Sequence, residues 1–334
     1  MAEPRFLLIR LGSLGDIVHA LPAASALRHT FPKARVDWAV EPKWTRLLEG
    51  NPDISEVITI ERRSAAGIAR TVRTLRSANY SCTIDFQALY KSALLAYSSG
   101  APRRVGFQSS YAREGLAVLF YTDCLNPRGP HKVDHNLTLV EHVGAKQMPV
   151  RFPLAIRAED EACVERELAV HKLQDYFIVN PGGGWQSKCW PAEQYGELSR
   201  KLAQELGWPG VVSIGPGEEP LAQRVVSAAG NLPPVTMSLG LGPLMPLLKR
   251  AKFVVSADTG PLHLASALGT PVVGLFGPTD PSRNGPYSSQ DVVVRNPRSC
   301  ETNYRRGREY APSMRSITVE QVFDAVLRRL GLRS

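Results

Sequence analysis

Residues Phe253 to Pro281, FVVSADTGPLHLASALGTPVVGLFGPTDP, decide how this chain is read. The apolar run Phe253-Val254-Val255-Ser256 has the β-branched content and shortness of a buried parallel strand, and it breaks at Asp258-Thr259-Gly260. A helix follows at once. Thr259 or Gly260 can cap it, Pro261 suits its first position, and Leu262, Ala265 and Leu268 mark one apolar face up to Gly269. A second buried strand, Pro271 to Phe276, breaks at Gly277-Pro278-Thr279-Asp280-Pro281. In a parallel sheet both exits open at the carboxyl edge, where ligands bind. Free N–H groups and the dipole at such a helix start attract an anion, with Gly260 allowing close approach and His263 in the first turn. Taken alone, the plainer reading is stronger: Asp258 and Thr259 cap a helix and His263 is an ordinary first-turn residue. The rest of the chain shifts that balance.

Upstream, strands and helices alternate. Arg5 to Arg10 reads as a strand, Leu11 to Asp16 as a glycine loop, and Ile17 to His29 as a helix with Val18, Leu21, Ala24 and Leu27 on helical spacing. The loop is not GxGxxG, so a dinucleotide site is a weak reading. Further strands fit Arg35 to Val40, Glu56 to Ile60, Cys82 to Asp85 and Arg103 to Phe107, with helices over 64–78, 89–98 and 134–143. A proline-marked stretch, Gln147 to Pro153, reads as a boundary. A second series then begins: a helix over 159–171, the strand Tyr176 to Asn180, the loop Pro181-Gly182-Gly183-Gly184 with Lys188 behind it, a helix from Pro191, and the strand Val211 to Ile214 running into Gly215-Pro216-Gly217-Glu218-Glu219. Ile317 to Leu330 reads as a last amphipathic helix. The expected fold is α/β, two Rossmann-like doubly wound halves facing across a cleft.

Composition narrows the class. The 334 residues suffice for two domains, and 43% hydrophobic with 21% charged residues describes a globular protein. No apolar run nears the roughly 18 residues that span a bilayer, and the start lacks a signal-peptide pattern, so a cytoplasmic location is expected. Cys82, Cys124, Cys163, Cys189 and Cys300 lie far apart with no CxxC pair, which argues against zinc and disulfides and for free thiols. The net charge of +9 is uneven: residues 1–155 carry 20 basic against 13 acidic residues, and 156–334 carry 20 against 18. From Glu61 to Arg113 nine basic residues face only Glu61 and Asp85. Such a segment suits nucleic acid, an anionic membrane or an acidic substrate, or else is a solvated helix face. Without interleaved aromatics or a recognisable module, nucleic acid is not expected.

With the motifs aligned, the sequence resembles glycosyltransferase family 9, the bacterial lipopolysaccharide heptosyltransferases, over nearly its whole length. The resemblance rests on Ile9 to Val18 (IRLGSLGDIV), Ile84 to Ser92 (IDFQALYKS), Lys188-Cys189-Trp190-Pro191, Asp258 to His263 (DTGPLH) and Phe276 to Pro281 (FGPTDP). Asp37 to Glu41 and Arg113 to Tyr121 are similar to its heptosyltransferase I branch. The resemblance implies a GT-B fold: an acceptor domain over 1–153, a nucleotide-sugar domain over 154–316, and a C-terminal helix, 317–334, packing back on the first domain. It implies an inverting transfer of heptose from ADP-heptose to the Kdo of lipid A, on the cytoplasmic face of the inner membrane, with no cofactor required.

The resemblance also assigns residues. Inversion needs a base for the acceptor hydroxyl and a stabilised diphosphate leaving group. Asp16 matches the family's proposed base, though a helix cap is an equal reading of its position. Lys188 would neutralise the diphosphate, helped by Gly183, Gly184, Thr259, Gly260 and His263; a plain surface lysine is the alternative. Glu218 matches the ribose-binding glutamate, with adjacent Glu219 leaving the register open, and Asp258 would meet the heptose hydroxyls. Ser13, Arg62, Arg63, Lys91 and Arg113 would serve the anionic acceptor. There is no DxD motif, so no metal is expected. Two departures stand. Asn296 to Arg315 holds only Cys300 where relatives carry several cysteines, and Gly182-Gly183-Gly184 stands where heptosyltransferase I often has threonines. A transferase of another sugar, a later-acting heptosyltransferase, a nucleotide-sugar epimerase or a non-catalytic binder would use the same architecture.

Overall fold

The structure, a computed structural model, describes residues 3–61, 64–296, 302 and 307–333. It divides into two units, 1–155 and 156–334. The boundary falls just beyond the expected Pro153, whose carbonyl accepts a 2.8 Å hydrogen bond from Asn51 Nδ2 and so belongs to the first unit.

The first unit holds β1 (Arg5–Ile9), β2 (Arg35–Val40), β3 (Glu56–Thr59), β4 (Cys82–Asp85), β5 (Arg103–Phe107) and β6 (Asp123–Leu125), all parallel, in the spatial order 3-2-1-4-5-6. The second holds β7 (Phe177–Asn180), β8 (Gly210–Ile214), β9 (Val235–Ser238), β10 (Val254–Ala257), β11 (Val272–Phe276) and β12 (Val292–Arg295), also parallel, in the order 12-11-10-7-8-9. Counted from its own first strand, the second sheet repeats the first. Each is a complete doubly wound sheet, whose ligand crevice lies where the strand order reverses. That point falls between β1 and β4 in one unit and between β7 and β10 in the other.

The central strands are buried on both faces because helices cover both, which is why they are continuous apolar runs. In the first unit Leu7, Ile9, Ala39 and Ile58 pack with Leu75, Ala93 and Ala96 of the covering helices. In the second, Val179, Val255 and Val273 pack with Tyr195, Leu198 and Leu202.

Two expectations change. The helix expected over 17–29 is two helices, Leu14–Val18 and Leu21–Thr30. Pro22 has no N–H to return to the Val18 carbonyl, so the ladder stops there. The C-terminal helix, Val319–Arg329, packs in the second unit: Val322, Phe323 and Val326 enter its core, and Trp190 Nε1 donates to Ile317 O at 3.0 Å just ahead of it. Its apolar stripe is consumed by that core. Cys82, Cys124, Cys163 and Cys189 are free thiols, and Cys300 lies outside the described residues. Among the described residues no helix is long and apolar enough to cross a membrane.

Candidate active site

In the first unit the reversal point carries Asp16. The chain leaves β1 at Ile9, runs through Arg10 to Ser13 and enters the short helix Leu14–Val18, which holds Asp16 in its first turn. Arg10 Nη2 approaches Asp16 Oδ2 at 2.6 Å, Lys132 Nζ donates to Oδ1 at 2.6 Å, and Ser13 Oγ donates to Oδ2 at 3.0 Å. Lys132 reaches the loop because its helix, Lys132–His142, packs along Leu21–Thr30, with Asn136 Nδ2 donating to His19 O at 2.9 Å. Burial alone would raise the Asp16 pKa. The charges of Arg10 and Lys132, the Lys132 hydrogen bond and His19 outweigh it and hold the carboxyl well below the ordinary range.

The neighbouring exit from β4 is tied to this loop. Gln87 Oε1 accepts from Leu11 N at 2.9 Å, and Arg10 Nη1 donates to Phe86 O at 2.6 Å. Asp85 is wholly buried and accepts from Gln87 N at 2.8 Å and Tyr121 Oη at 2.7 Å, an internal brace for the turn. Burial pushes its pKa up against those hydrogen bonds.

In the second unit the reversal point carries Asp258. Lys188 Nζ donates to Asp258 Oδ2 at 2.8 Å and to its carbonyl at 3.2 Å, and His263 Nε2 meets Oδ1 at 3.0 Å. Asp258 and His263 are buried, and Lys188 is largely so. Burial would raise the Asp258 pKa, but the His263 hydrogen bond and the Lys188 charge drive it far below the ordinary range. The Lys188 ammonium also sits 4.7 Å from the Trp185 ring centre. The helix Gly260–Ala267 begins beside this triad, with Thr259 as its N-cap and Pro261 in the first turn. The Thr259 hydroxyl lies 2.9 Å from Ser256 Oγ and 3.4 Å from Asn180 Nδ2, which fixes the β10 exit against β7. Glu218 Oε2 accepts from Gly215 N at 2.8 Å, and its carboxylate fills the space where a Cβ on Gly182 would stand. Exposed Glu219 makes only a 3.4 Å contact with Gly217 N, so Glu218 is the glutamate turned toward the glycine loop.

The model of glycosyltransferase family 9 (heptosyltransferase) matches residues 68–313. The chain belongs to that family. As a family 9 glycosyltransferase it is 29% identical to lipopolysaccharide heptosyltransferase 1 of Pseudomonas aeruginosa over 322 residues, 92% of this chain and 88% of that protein. The solved structure of Escherichia coli heptosyltransferase WaaC with ADP matches with a TM-score of 0.77 and 28% identity, covering 97% of this chain and 99% of that one. Escherichia coli ADP-heptose lps heptosyltransferase II shares the fold, with a TM-score of 0.81 at 22% identity over 98% and 99% of the two chains. The two doubly wound units are those of the GT-B fold.

In this glycosyltransferase the expected residues gather unevenly. Asp16 and Ser13 stand together, and so do Lys188, Asp258, Thr259, Gly260 and His263. Gly183 packs close to Cys189 and Thr259, whereas nothing stands within 4 Å of a Cβ built on Gly184. Lys91 pairs with Glu41 at 3.3 Å on the helix that follows the β4 exit. Arg113 is exposed ahead of the helical turn Gly115–Phe120 and has no ion-pair partner among the described residues. Arg62 and Arg63 lie outside the described residues. Arg10 and Lys132 were not expected at Asp16. Arg10 had a signal, as the residue leaving the central strand, whereas Lys132 is 116 positions away. Among the described residues no group of three or more His, Cys, Asp and Glu side chains is placed to hold a metal ion.

Proposed function

We propose that this glycosyltransferase moves L-glycero-D-manno-heptose from ADP-heptose to the Kdo of lipid A, with inversion at the sugar carbon, in lipopolysaccharide inner-core synthesis. The observation that carries the reading is the chemistry of the two reversal points. One presents an ionised carboxylate, Asp16, and the other presents an ammonium, Lys188, beside a helix N-terminus. A single displacement needs one of each.

In this reading the second unit takes the donor. Lys188 shares its charge between Asp258 and the diphosphate, the helix start at Gly260 adds its N–H groups, and Gly183 and Gly184 let the phosphates approach the main chain. Charge on the departing ADP is neutralised as the glycosyl bond breaks. Glu218 keeps acceptor capacity for the ribose hydroxyls, and Asp258, ionised and braced by His263, meets hydroxyls of the heptose. The first unit takes the acceptor. Arg62, Arg63, Lys91 and Arg113 answer the Kdo carboxylate and the lipid A phosphates, and Ser13 lies beside the base.

Asp16 is a weak base because Arg10 and Lys132 stabilise its charge. That suits a transition state with oxocarbenium character. As the acceptor oxygen bonds to such a carbon it becomes an oxonium far more acidic than a carboxylic acid, so even a weakly basic carboxylate accepts the proton late in the step.

The test is turnover of ADP-heptose with Kdo-lipid A, followed by ADP release and the configuration of the new linkage. Heptosylated Kdo-lipid A with inverted configuration is expected. Binding of ADP-heptose without transfer, or transfer only from another nucleotide sugar, contradicts the reading.

A further inference from the structure

The helix Tyr90–Ser98 has an apolar outer face. Its inner face buries Ser92, Ala93 and Ala96 in the first unit, as a surface helix should. The opposite face would normally be polar, yet it carries Tyr90, Leu94 and Tyr97, spaced four and three residues apart on one stripe. Beside it packs the helical turn Gly115–Phe120, whose Leu116 and Leu119, three apart on a three-residue turn, also point outward. These five side chains are between 43% (Tyr90) and 75% (Leu119) exposed. The two elements form one surface: the Tyr97 and Phe120 rings meet edge to face at 5.9 Å, and Glu114 accepts from Tyr90 N at 2.6 Å. Clustered exposed apolar residues mark an interaction site, unlike the scattered ones of an ordinary surface.

The charge around the face selects its partner. Among the described residues from 61 to 123 seven are basic and four acidic; Asp85 is buried, and Glu61 and Asp123 pair with Arg70 and Arg103, which leaves the segment net positive. Arg104 lies over the Tyr97 ring at 5.6 Å and Arg113 precedes the neighbouring turn, while Lys91 of the same helix is paired with Glu41. Leucines and tyrosines flanked by arginine and lysine fit the boundary between lipid headgroups and acyl chains, where tyrosine hydroxyls stay wet and cationic stems snorkel. We propose that this face, formed by the helix Tyr90–Ser98 and the turn Gly115–Phe120, docks the protein on an anionic bilayer by shallow insertion of Leu94, Leu116 and Leu119. The docking helix starts directly after the β4 exit, which is hydrogen-bonded to the Asp16 loop through Gln87 and Arg10. Insertion therefore holds the acceptor edge of this unit close to the lipid surface. The inference deepens the proposed function, in which the acceptor is a membrane glycolipid.

The test uses the full chain in flotation with vesicles of phosphatidylethanolamine and phosphatidylglycerol, and with phosphatidylcholine vesicles as the uncharged control. Wild type floats with the anionic vesicles and poorly with the others. A Leu94→Glu, Leu119→Glu double variant loses partitioning by about tenfold or more, because two inserted leucines are replaced by charges repelled from the surface. A Leu94→Ser, Leu119→Ser variant, without added charge, falls in between. Both keep the wild-type melting temperature and ADP-heptose affinity, and both transfer to detergent-dispersed acceptor at the wild-type rate while slowing on vesicle-embedded acceptor. Flotation and donor binding do not depend on which acceptor is used, so a failed transfer assay overturns the proposed function and leaves this result standing. Wild type that ignores anionic vesicles, or a double variant that floats as well as wild type, overturns the proposal. So does a wild-type dimer in lipid-free ultracentrifugation that the double variant dissociates, which would assign the face to a second copy of the chain.

Discussion

Asp16 is a carboxylate held ionised by two cations, and its strength as a base is set by them. Removing Lys132 takes away one charge and one hydrogen bond, leaving burial less opposed. Lys132→Met therefore raises the Asp16 pKa, and the acidic limb of the kcat/KM profile moves to higher pH; a limb unchanged by the substitution would mean that another group titrates there. The groups facing Asp16 are Arg10 from the β1 exit, Ser13 and His19 from the two ends of its own helix, and Lys132. The family resemblance singled out Asp16 at the end of its glycine loop, but its partners did not show. A charge 116 residues away is set by how two helices pack, which local pattern does not encode. A second residue-scale prediction concerns Gly182, where a Cβ collides with the Glu218 carboxylate. Gly182→Ala should weaken ADP-heptose binding about 10- to 100-fold, the loss of a charged hydrogen bond of roughly 1.5–3 kcal/mol. Gly240→Ala, at a position with no assigned donor contact where a Cβ likewise meets nothing within 4 Å, should change it little. Calorimetric titration separates the two, and equal affinities would remove Glu218 from the donor site.

The elements that carry the site were legible because parallel strands are apolar runs and their exits are marked by glycine, proline and aspartate, as in β7, β10 and β11. Short or edge elements were not. β6 (Asp123–Leu125) has three residues, β9 (Val235–Ser238) is half exposed, and Leu241–Arg250 contains Pro246, which reads as a helix breaker. The break at Pro22 was passed over because the apolar spacing runs through it. The Lys188-Cys189-Trp190-Pro191 motif shows how an element divides its labour: Lys188 faces Asp258, while Trp190 is fully buried and bonded to Ile317 O. Trp190→Ala should cost about 3–5 kcal/mol from its cavity. Trp190→Phe should cost about 1–3 kcal/mol by leaving that carbonyl unpaired. Denaturant titration measures both, and a phenylalanine variant as stable as wild type would show that the hydrogen bond contributes nothing.

The whole molecule is one doubly wound design used twice, and both copies place an ionised aspartate at the strand-order reversal. This arrangement has a consequence for acid stability. Asp16 and Asp258 have folded pKa values depressed from an ordinary 3.8, and Asp123, hydrogen-bonded to His142, is lowered to about 2. Such groups stabilise the fold above their unfolded pKa, and the contribution is lost as pH falls through the folded values. Asp85, raised by burial, works in the opposite sense. The melting temperature should therefore fall steeply below about pH 4, and less steeply in Asp258→Asn relative to its own neutral value; identical slopes would mean that the triad is not coupled to folding. The double sheet was readable from the two βα series, whereas a separation of acceptor and donor chemistry between them is what the family resemblance implies and the proposed function adopts. The most direct test of that separation measures ADP-heptose affinity and turnover together in Asp16→Asn and Lys188→Met. The account predicts wild-type donor affinity with turnover reduced about 10²- to 10⁴-fold in Asp16→Asn, and loss of both in Lys188→Met. Turnover near wild type in Asp16→Asn, or unchanged donor affinity in Lys188→Met, would contradict it.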